Sequence, residues 1–281
     1  MNERRPAVAG TWYPGTAGAL ATDVDDYLDR ADPRVRGSVR AIIAPHAGLM
    51  FSGPVAAWAY KAAAASVFDV VVLVGPSHFV GFEGVSVWPR GAFGSPFGPA
   101  AIDEAVASAI LASPIAAERP DAHAREHSLE MQLPFVRRLF PALPIVPIVV
   151  GYQVRETIDA LGEQLARAVA DRQALLVAST DLSHYFDAAT ADRLDGRVRA
   201  LVDAFDSDGL LSLYEEYPER ERGRYVACGG GAAIAVMRAA QRLGARDGRV
   251  LHYAHSGHVS GDNEGVVGYL AAAFGSLSDA D

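Results

Sequence analysis

The 281-residue chain is short of cysteine, lysine and positive charge. Cys228 is the single cysteine, so no intrachain disulfide can form and an oxidising compartment is not indicated. Lys61 is the one lysine, and 34 acidic residues against 25 basic ones leave a net charge of −9. Such a balance lacks the electrostatic footprint of a nucleic-acid binder. No stretch reaches the roughly 18 uninterrupted apolar residues of a membrane span. The opening, MNERRPAVAGTWYPG, carries no apolar run of the secretory type. The expected setting is the cytoplasm, without nucleic-acid or membrane partners. Disorder is excluded too, since 50% of the residues are apolar and only 21% charged.

What is present is an alternation of short apolar runs with longer amphipathic ones. Arg40–Ala44, Asp69–Val74, Pro144–Val150, Ala174–Ala178, Val250–Ala254 and Val266–Ala272 read as strands. Helices are expected over Pro54–Ala65, opened by a proline in its first turn, and over Ile102–Leu111, Ser128–Phe140, Val154–Ala170, Ala188–Phe205 and Gly231–Leu243. The Pro/Gly-rich stretch Pro89–Pro99 reads as a loop, and no internal repeat is evident. Continuous Val/Ile runs are the mark of strands buried on both faces, hence of a mostly parallel central sheet flanked by helices. The economical reading is one α/β domain spanning 1–281.

Most of the eight histidines fall at or just beyond those strand ends. His46 follows the first run in Ala44-Pro45-His46-Ala47-Gly48, His78 the second in Gly75-Pro76-Ser77-His78, and His184 a third in Ser179-Thr180-Asp181-Leu182-Ser183-His184. Ligands of open α/β sheets bind at the carboxyl ends of the strands, so three imidazoles delivered there suit a shared site. Rigid Pro and Gly flanks around His46 and His78 suit ligand geometry. Taken singly, each remains explicable as a loop histidine bonded to backbone. Cys228, in Val226-Ala227-Cys228-Gly229-Gly230-Gly231, precedes an apolar helical run, where the helix dipole favours thiolate. Two imidazoles and a thiolate make a three-ligand set with open positions, suited to iron, copper or zinc. The competing reading is an inert buried thiol.

Two other histidine clusters are weaker. His123-Ala124-Arg125-Glu126-His127 fits the inverted zinc-peptidase pattern H-x-x-E-H, which needs both histidines on one helix. Here Glu126–Glu130 reads as a helix start with Ser128 as its cap, leaving His123 in a loop. His252, His255 and His258 are spaced by three, but Val250–Ala254 reads as strand, and Gly257 and Gly261 argue against helix beyond it. His255 and His258 are therefore taken as loop residues lining a pocket.

Five ordered segments resemble the Memo family, called AmmeMemoRadiSam system protein B in bacteria and archaea. They are Arg40–Gly48, Gly75–His78, Glu126–Met131, Ser179–Asp181 with His184, and Cys228-Gly229; the opening Pro6–Pro14 matches as well. The resemblance runs from about residue 5 to about residue 274. It implies the fold of class III extradiol dioxygenases, which hold iron(II) with two histidines and a glutamate. By position, His46 and His78 match the histidine ligands, and Cys228 stands at the family's third metal position. His184 matches the acid–base histidine, Asp181 the acidic residue before it, and Glu126 and His127 belong to a motif lining the cleft. The resemblance further implies redox use of iron or copper, with eukaryotic members binding phosphopeptides and influencing motility. The bacterial name implies association with a radical SAM protein and an AMMECR-type protein.

A thiolate in place of the carboxylate departs from the ring-cleaving site, so catechol cleavage does not carry over. No carboxylate neighbours Cys228 in sequence to replace it; Asp262 and Glu264 are the only late acids near His258. Two expectations remain. One is an iron-dependent oxidoreductase (copper or zinc as alternatives) acting on a small molecule or peptide, with His184 and Asp181 as its catalytic pair: His184 moves a proton, its tautomer set by Asp181 or a backbone group. The other is a catalytically silent cleft that binds a peptide or a small thiol.

Overall fold

Three segments, Val70–Pro76, Ile145–Val150 and Ala174–Ser179, bury every side chain they carry. A segment with no polar face must be covered on both sides, and this requirement organises the chain. In this computed structural model, which describes residues 3–279, a nine-stranded sheet forms the centre. Its strands are β1 (Val35–Ala44), β2 (Val70–Pro76), β3 (Val85–Val87), β4 (Ala116–Ala117), β5 (Ile145–Val150), β6 (Ala174–Ser179), β7 (His184–Phe186), β8 (Asp247–His255) and β9 (Val266–Asp279). The spatial order is β7-β9-β1-β6-β2-β5-β3-β4, with β8 on the other edge of β9. The middle four strands, β1-β6-β2-β5, are mutually parallel. Antiparallel pairings extend this core at both sides, β9 on β1 and β3 on β5.

Helices cover both faces. Leu49–Ala63 packs on β1 and β9 with Ala17–Arg30 and Leu133–Leu139 behind it, while Gly230–Arg242 packs on β6 and β2 with Arg155–Ala168 outside it. The α/β sheet flanked by helices is the architecture expected from the apolar runs. Three helices of seven or more residues lay outside that reading, Ala17–Arg30, Ser207–Glu215 and Glu219–Tyr225, as did the short Pro120–Ala124 and Gly257–Ser260. The helix expected from Pro54 begins at Leu49, so Pro54 sits inside it and forfeits a hydrogen bond rather than opening the first turn. Part of the Pro89–Pro99 loop, Ala92–Phe93, joins Glu3–Arg4 and Ala100–Ala101 in a small second sheet. Among the described residues no helix is long and apolar enough to cross a membrane.

The start of the chain is fastened to the body by one buried carboxylate. Glu130 accepts the Arg4 guanidinium, the Ala7 and Val8 backbone N–H groups (2.7 and 3.0 Å) and the Tyr13 hydroxyl (2.7 Å). Arg4 also donates to the carbonyls of His123 and Glu126, so the same residue grips the loop that carries Glu126 and His127. Removing one partner of a buried ion pair strands the other charge, at a cost of about 3–5 kcal/mol. Glu130→Ala is therefore expected to lower unfolding stability by about that amount in a urea titration. Asp26→Ala, which removes an exposed pair with Arg30, should change it by less than about 1 kcal/mol. Equal effects of the two substitutions would refute the anchoring role.

Candidate metal centre

β1, β6 and β2 are adjacent and parallel, so their carboxyl ends open on one side of the sheet. His46 lies just past the end of β1 and His78 just past β2. Cys228 comes from the turn before the helix Gly230–Arg242, which packs against β6 and β2. Gly229 lets that turn approach: a Cβ there would lie 2.4 Å from the Ser179 carbonyl oxygen, at the end of β6. The Gly229 N–H donates to Thr180 Oγ1, the Cys228 N–H to the Asp181 carbonyl, and the Asp181 N–H to Cys228 Sγ at 3.3 Å. Gln153 clamps the turn from the far side, donating to the Cys228 carbonyl and accepting from the Gly231 N–H. As a result, one donor atom from each of His46, His78 and Cys228 lies within 4.8 Å of the other two.

Proton accounting shows which nitrogen each imidazole offers. The Ser179 hydroxyl gives its single proton to the Ser128 carbonyl (2.6 Å) and accepts from the Gln132 amide (2.7 Å). With that proton committed, its 2.9 Å bond to His46 Nδ1 must be donated by the ring. His46 Nε2 then faces Cys228 Sγ at 3.2 Å. Gln132 is held in its turn by the Tyr60 hydroxyl at Oε1 and by the Pro45 carbonyl at Nε2. His78 is fixed by a carboxylate. Glu126 Oε1 accepts from its Nδ1 (2.9 Å) and Oε2 from its backbone N–H (2.6 Å), leaving Nε2 for the site. The Glu126 carboxylate also takes the His127 and Ser128 N–H groups.

The charges follow. Burial pushes the Glu126 carboxyl up, but hydrogen bonds and the charge of His78 outweigh it and bring it to about 2. Burial likewise raises the Cys228 thiol, and the charge and hydrogen bond of His46 with the hydrogen bond of His78 more than reverse this, to about 6. The His78 imidazole is raised, because hydrogen bonds to Cys228 and Glu126 overcome its burial. His127 goes the other way, to about 3, through burial and the charges of His46 and His78. It is a neutral ring, stacked on His78 at 4.4 Å and tilted against Trp12 at 4.4 Å.

His46, His78, His127 and Cys228 face a cavity of about 470 Å³ that is also lined by Trp12, His184, Tyr185 and Arg224. His184 Nδ1 donates to the Leu182 carbonyl at 2.7 Å, so Nε2 is the acceptor left over. The backbone, not Asp181, sets that tautomer. Asp181 uses its carboxylate on the His46 N–H at 2.7 Å, and burial raises its pKa. Tyr185 is the extra residue where β7 slips register against β9, and it holds φ of 62°. A non-glycine residue in that region costs about 1–2 kcal/mol.

Several expectations need correcting. Glu126 does not line the cleft; it is 3% exposed and stands behind His78. His255 is absent from the cavity: it is the last residue of β8 rather than a loop residue, and its ring stacks on His258 at 3.8 Å. His258 sits in a one-turn helix, Gly257–Ser260, despite the flanking glycines. His123 lies in the short helix Pro120–Ala124 with its ring against Ser86, and Ser128 caps nothing, since its hydroxyl donates to the Pro76 carbonyl. Missed altogether were Ser179 and Gln132 as supports, Tyr185 and Arg224 in the wall, and Gln153 behind Cys228. The position of Ser179 at a strand end was a usable signal; nothing marked the others.

The Memo-like protein family model matches residues 4–273. A MEMO1 family protein of Thermotoga maritima is 36% identical over 96% of this chain and 99% of its own length. Another from Aquifex aeolicus is 36% identical over 98% and 100%, and one from Methanopyrus kandleri 34% over 97% and 99%. Among solved structures, an uncharacterized protein of Escherichia coli K12 shares the fold, with a TM-score of 0.60 at 14% identity, over 84% of this chain and all of that one.

In metal-free protein the Cys228 thiolate is expected to appear as pH rises through about 6, well below an ordinary thiol. Absorbance at 240 nm against pH reads it directly. His46→Ala removes a lowering influence, so its midpoint should move upward; an unshifted midpoint would contradict the pairing.

Proposed function

Because the chain belongs to the Memo family, and because three soft and borderline donors converge on one point, we propose that it is a metal-dependent redox protein with His46, His78 and Cys228 as ligands. The donor set fits a first-row metal: two imidazole Nε2 atoms and a thiolate, with each imidazole's Nδ1 already engaged by Ser179 or Glu126. Iron is our first choice and copper or zinc the alternatives; when bound, a redox metal would supply one-electron chemistry at open coordination positions. The convergence of the three donors, with both rings held from behind, is the observation that carries this reading.

The chain's own residues would do the rest. Glu126 and Ser179 orient the rings, and Asp181 fixes the backbone of the His46 turn. His184 Nε2 is the group placed to take a proton from a substrate in the cavity and return it, help worth ~10²–10⁴-fold. Trp12 and the neutral His127 form an apolar wall beside the ligands. The substrate is a small molecule or an extended peptide. An association with radical SAM and AMMECR-type partners belongs to this proposal as well.

One observation favours a second reading, a thiol- or peptide-binding cleft without turnover: a sulfur held as thiolate near neutral pH and lining an open cavity. Metal bound to Cys228 would shield it from alkylation.

Metal content after expression in iron-rich medium is expected near one equivalent in the wild type, falling sharply in His46→Ala and Cys228→Ser. Iodoacetamide should modify Cys228 faster once chelator is added. Low metal unaffected by either substitution, with alkylation indifferent to chelator, would sink the metal reading in favour of the thiol-binding one.

A further inference from the structure

The Cys228–His78 edge borders two cavities, not one. Beyond the 470 Å³ cleft lies a second of about 670 Å³, lined among others by Ser77, Tyr152, Gln153 and Arg220. His78, Cys228 and Gly223 line both. The helix Glu219–Tyr225 runs along this divide. Its residues Arg220, Gly223 and Arg224 stand at i, i+3 and i+4 and so share one helix face. Arg220 borders the larger cavity and Arg224 the smaller, with Gly223 between them. A Cβ on Gly223 would already touch the Cys228 Cα at 3.4 Å, so only a residue without a side chain keeps this stretch of the helix face open where the two cavities meet.

Charge is distributed to match. The chain as a whole is strongly acidic, yet the smaller cavity has Arg224 as its one arginine or lysine. Arg224 is held over the rings of Phe186 (4.8 Å) and Tyr225 (5.8 Å), and among the described residues it has no ion pair. The carboxylate lining that cavity, Asp181, is buried and engaged with the His46 N–H. Arg220 has one exposed ion pair, at 3.8 Å from Glu221, a contact too long and too wet to hold it. Glu219 borders the larger cavity too, which confines an anion there to the Arg220 side.

We propose that this helix face is a two-point clamp for a dianionic ligand. Arg220 takes one anionic end and Arg224 the other, and the body of the ligand passes beneath Gly223 across Cys228 and His78. Guanidinium groups are suited to both carboxylate and phosphoryl ends, which they bind with paired hydrogen bonds. The proposal rests on the metal reading only for where the reactive centre lies.

The test is calorimetric titration of the full-length chain, stripped of metal by chelator and dialysed. The probes are α,ω-dicarboxylates from malonate to suberate, monocarboxylates of equal length, and matching ω-phosphonocarboxylates. One chain length should bind about tenfold or more tighter than its monocarboxylate. Arg220→Gln and Arg224→Gln should each erase that advantage. Gly223→Val, by closing this opening, should erase it while leaving monocarboxylate binding in place. Tighter binding of the phosphono series would identify one end as phosphoryl, and equal or weaker binding would identify both as carboxylate. No binding, affinity indifferent to length, or an advantage that survives either arginine substitution would overturn the clamp. Because no metal is present, such a failure leaves the metal reading untouched, and loss of metal binding in the ligand variants leaves the clamp untouched.

Discussion

The site depends on a single hydroxyl proton that has been assigned elsewhere. Ser179 sits at the end of β6, and its oxygen is approached by the Gln132 amide, the Ser128 carbonyl and the His46 ring. Only one of these can receive the proton, and the carbonyl has no other role to offer. His46 must therefore donate at Nδ1 and present Nε2 to the sulfur. Were Ser179 to point its proton at the ring instead, the imidazole would have the opposite tautomer and Nε2 would carry a hydrogen where a lone pair is wanted. The support extends through Gln132 to the Tyr60 hydroxyl, so an aromatic residue deep in the helix Leu49–Ala63 helps decide the chemistry of a ring in the cleft.

The second histidine solves the same problem by different means. A buried carboxylate with four donors aimed at it behaves as a fixed negative charge, and Glu126 is such a group. One imidazole is thus oriented by a neutral chain and the other by an ion, which makes the two rings electrostatically unequal. The neutral His127, stacked on His78 and tilted against Trp12, adds an aromatic wall on one side.

Much of this could be read from the residues. The strands of the parallel core announce themselves because burial on both faces leaves no polar alternation, and His46 and His78 announce themselves by following those strands directly. Cys228 stood out by being alone. Other features left no trace. Pro54 inside a helix violates the local rule, and it is tolerated where a well-packed helix can forgo one hydrogen bond. The motif around Glu126 identified the right residues but not their side of the ring: a carboxylate behind a histidine and one beside it have the same sequence. His255 was grouped with the site because its neighbours include other histidines, yet β8 pairs along the edge of β9 that faces away from β1, and its last residue stops short of the cavity. Tyr185 entered the wall through a register slip, and spacing alone cannot reveal a slip.

The long reach of these contacts bears on when the protein is complete. Arg4 is tied to Glu130 across 126 positions, and the sulfur of Cys228 meets a ring 182 positions upstream. On the ribosome, the first residues made wait for the middle of the chain, and His46 waits for nearly all of it. A nascent chain therefore exposes scattered imidazoles long before it has a thiolate to gather them. The gathering of these side chains therefore belongs to the last stages of synthesis or later, once most of the chain exists.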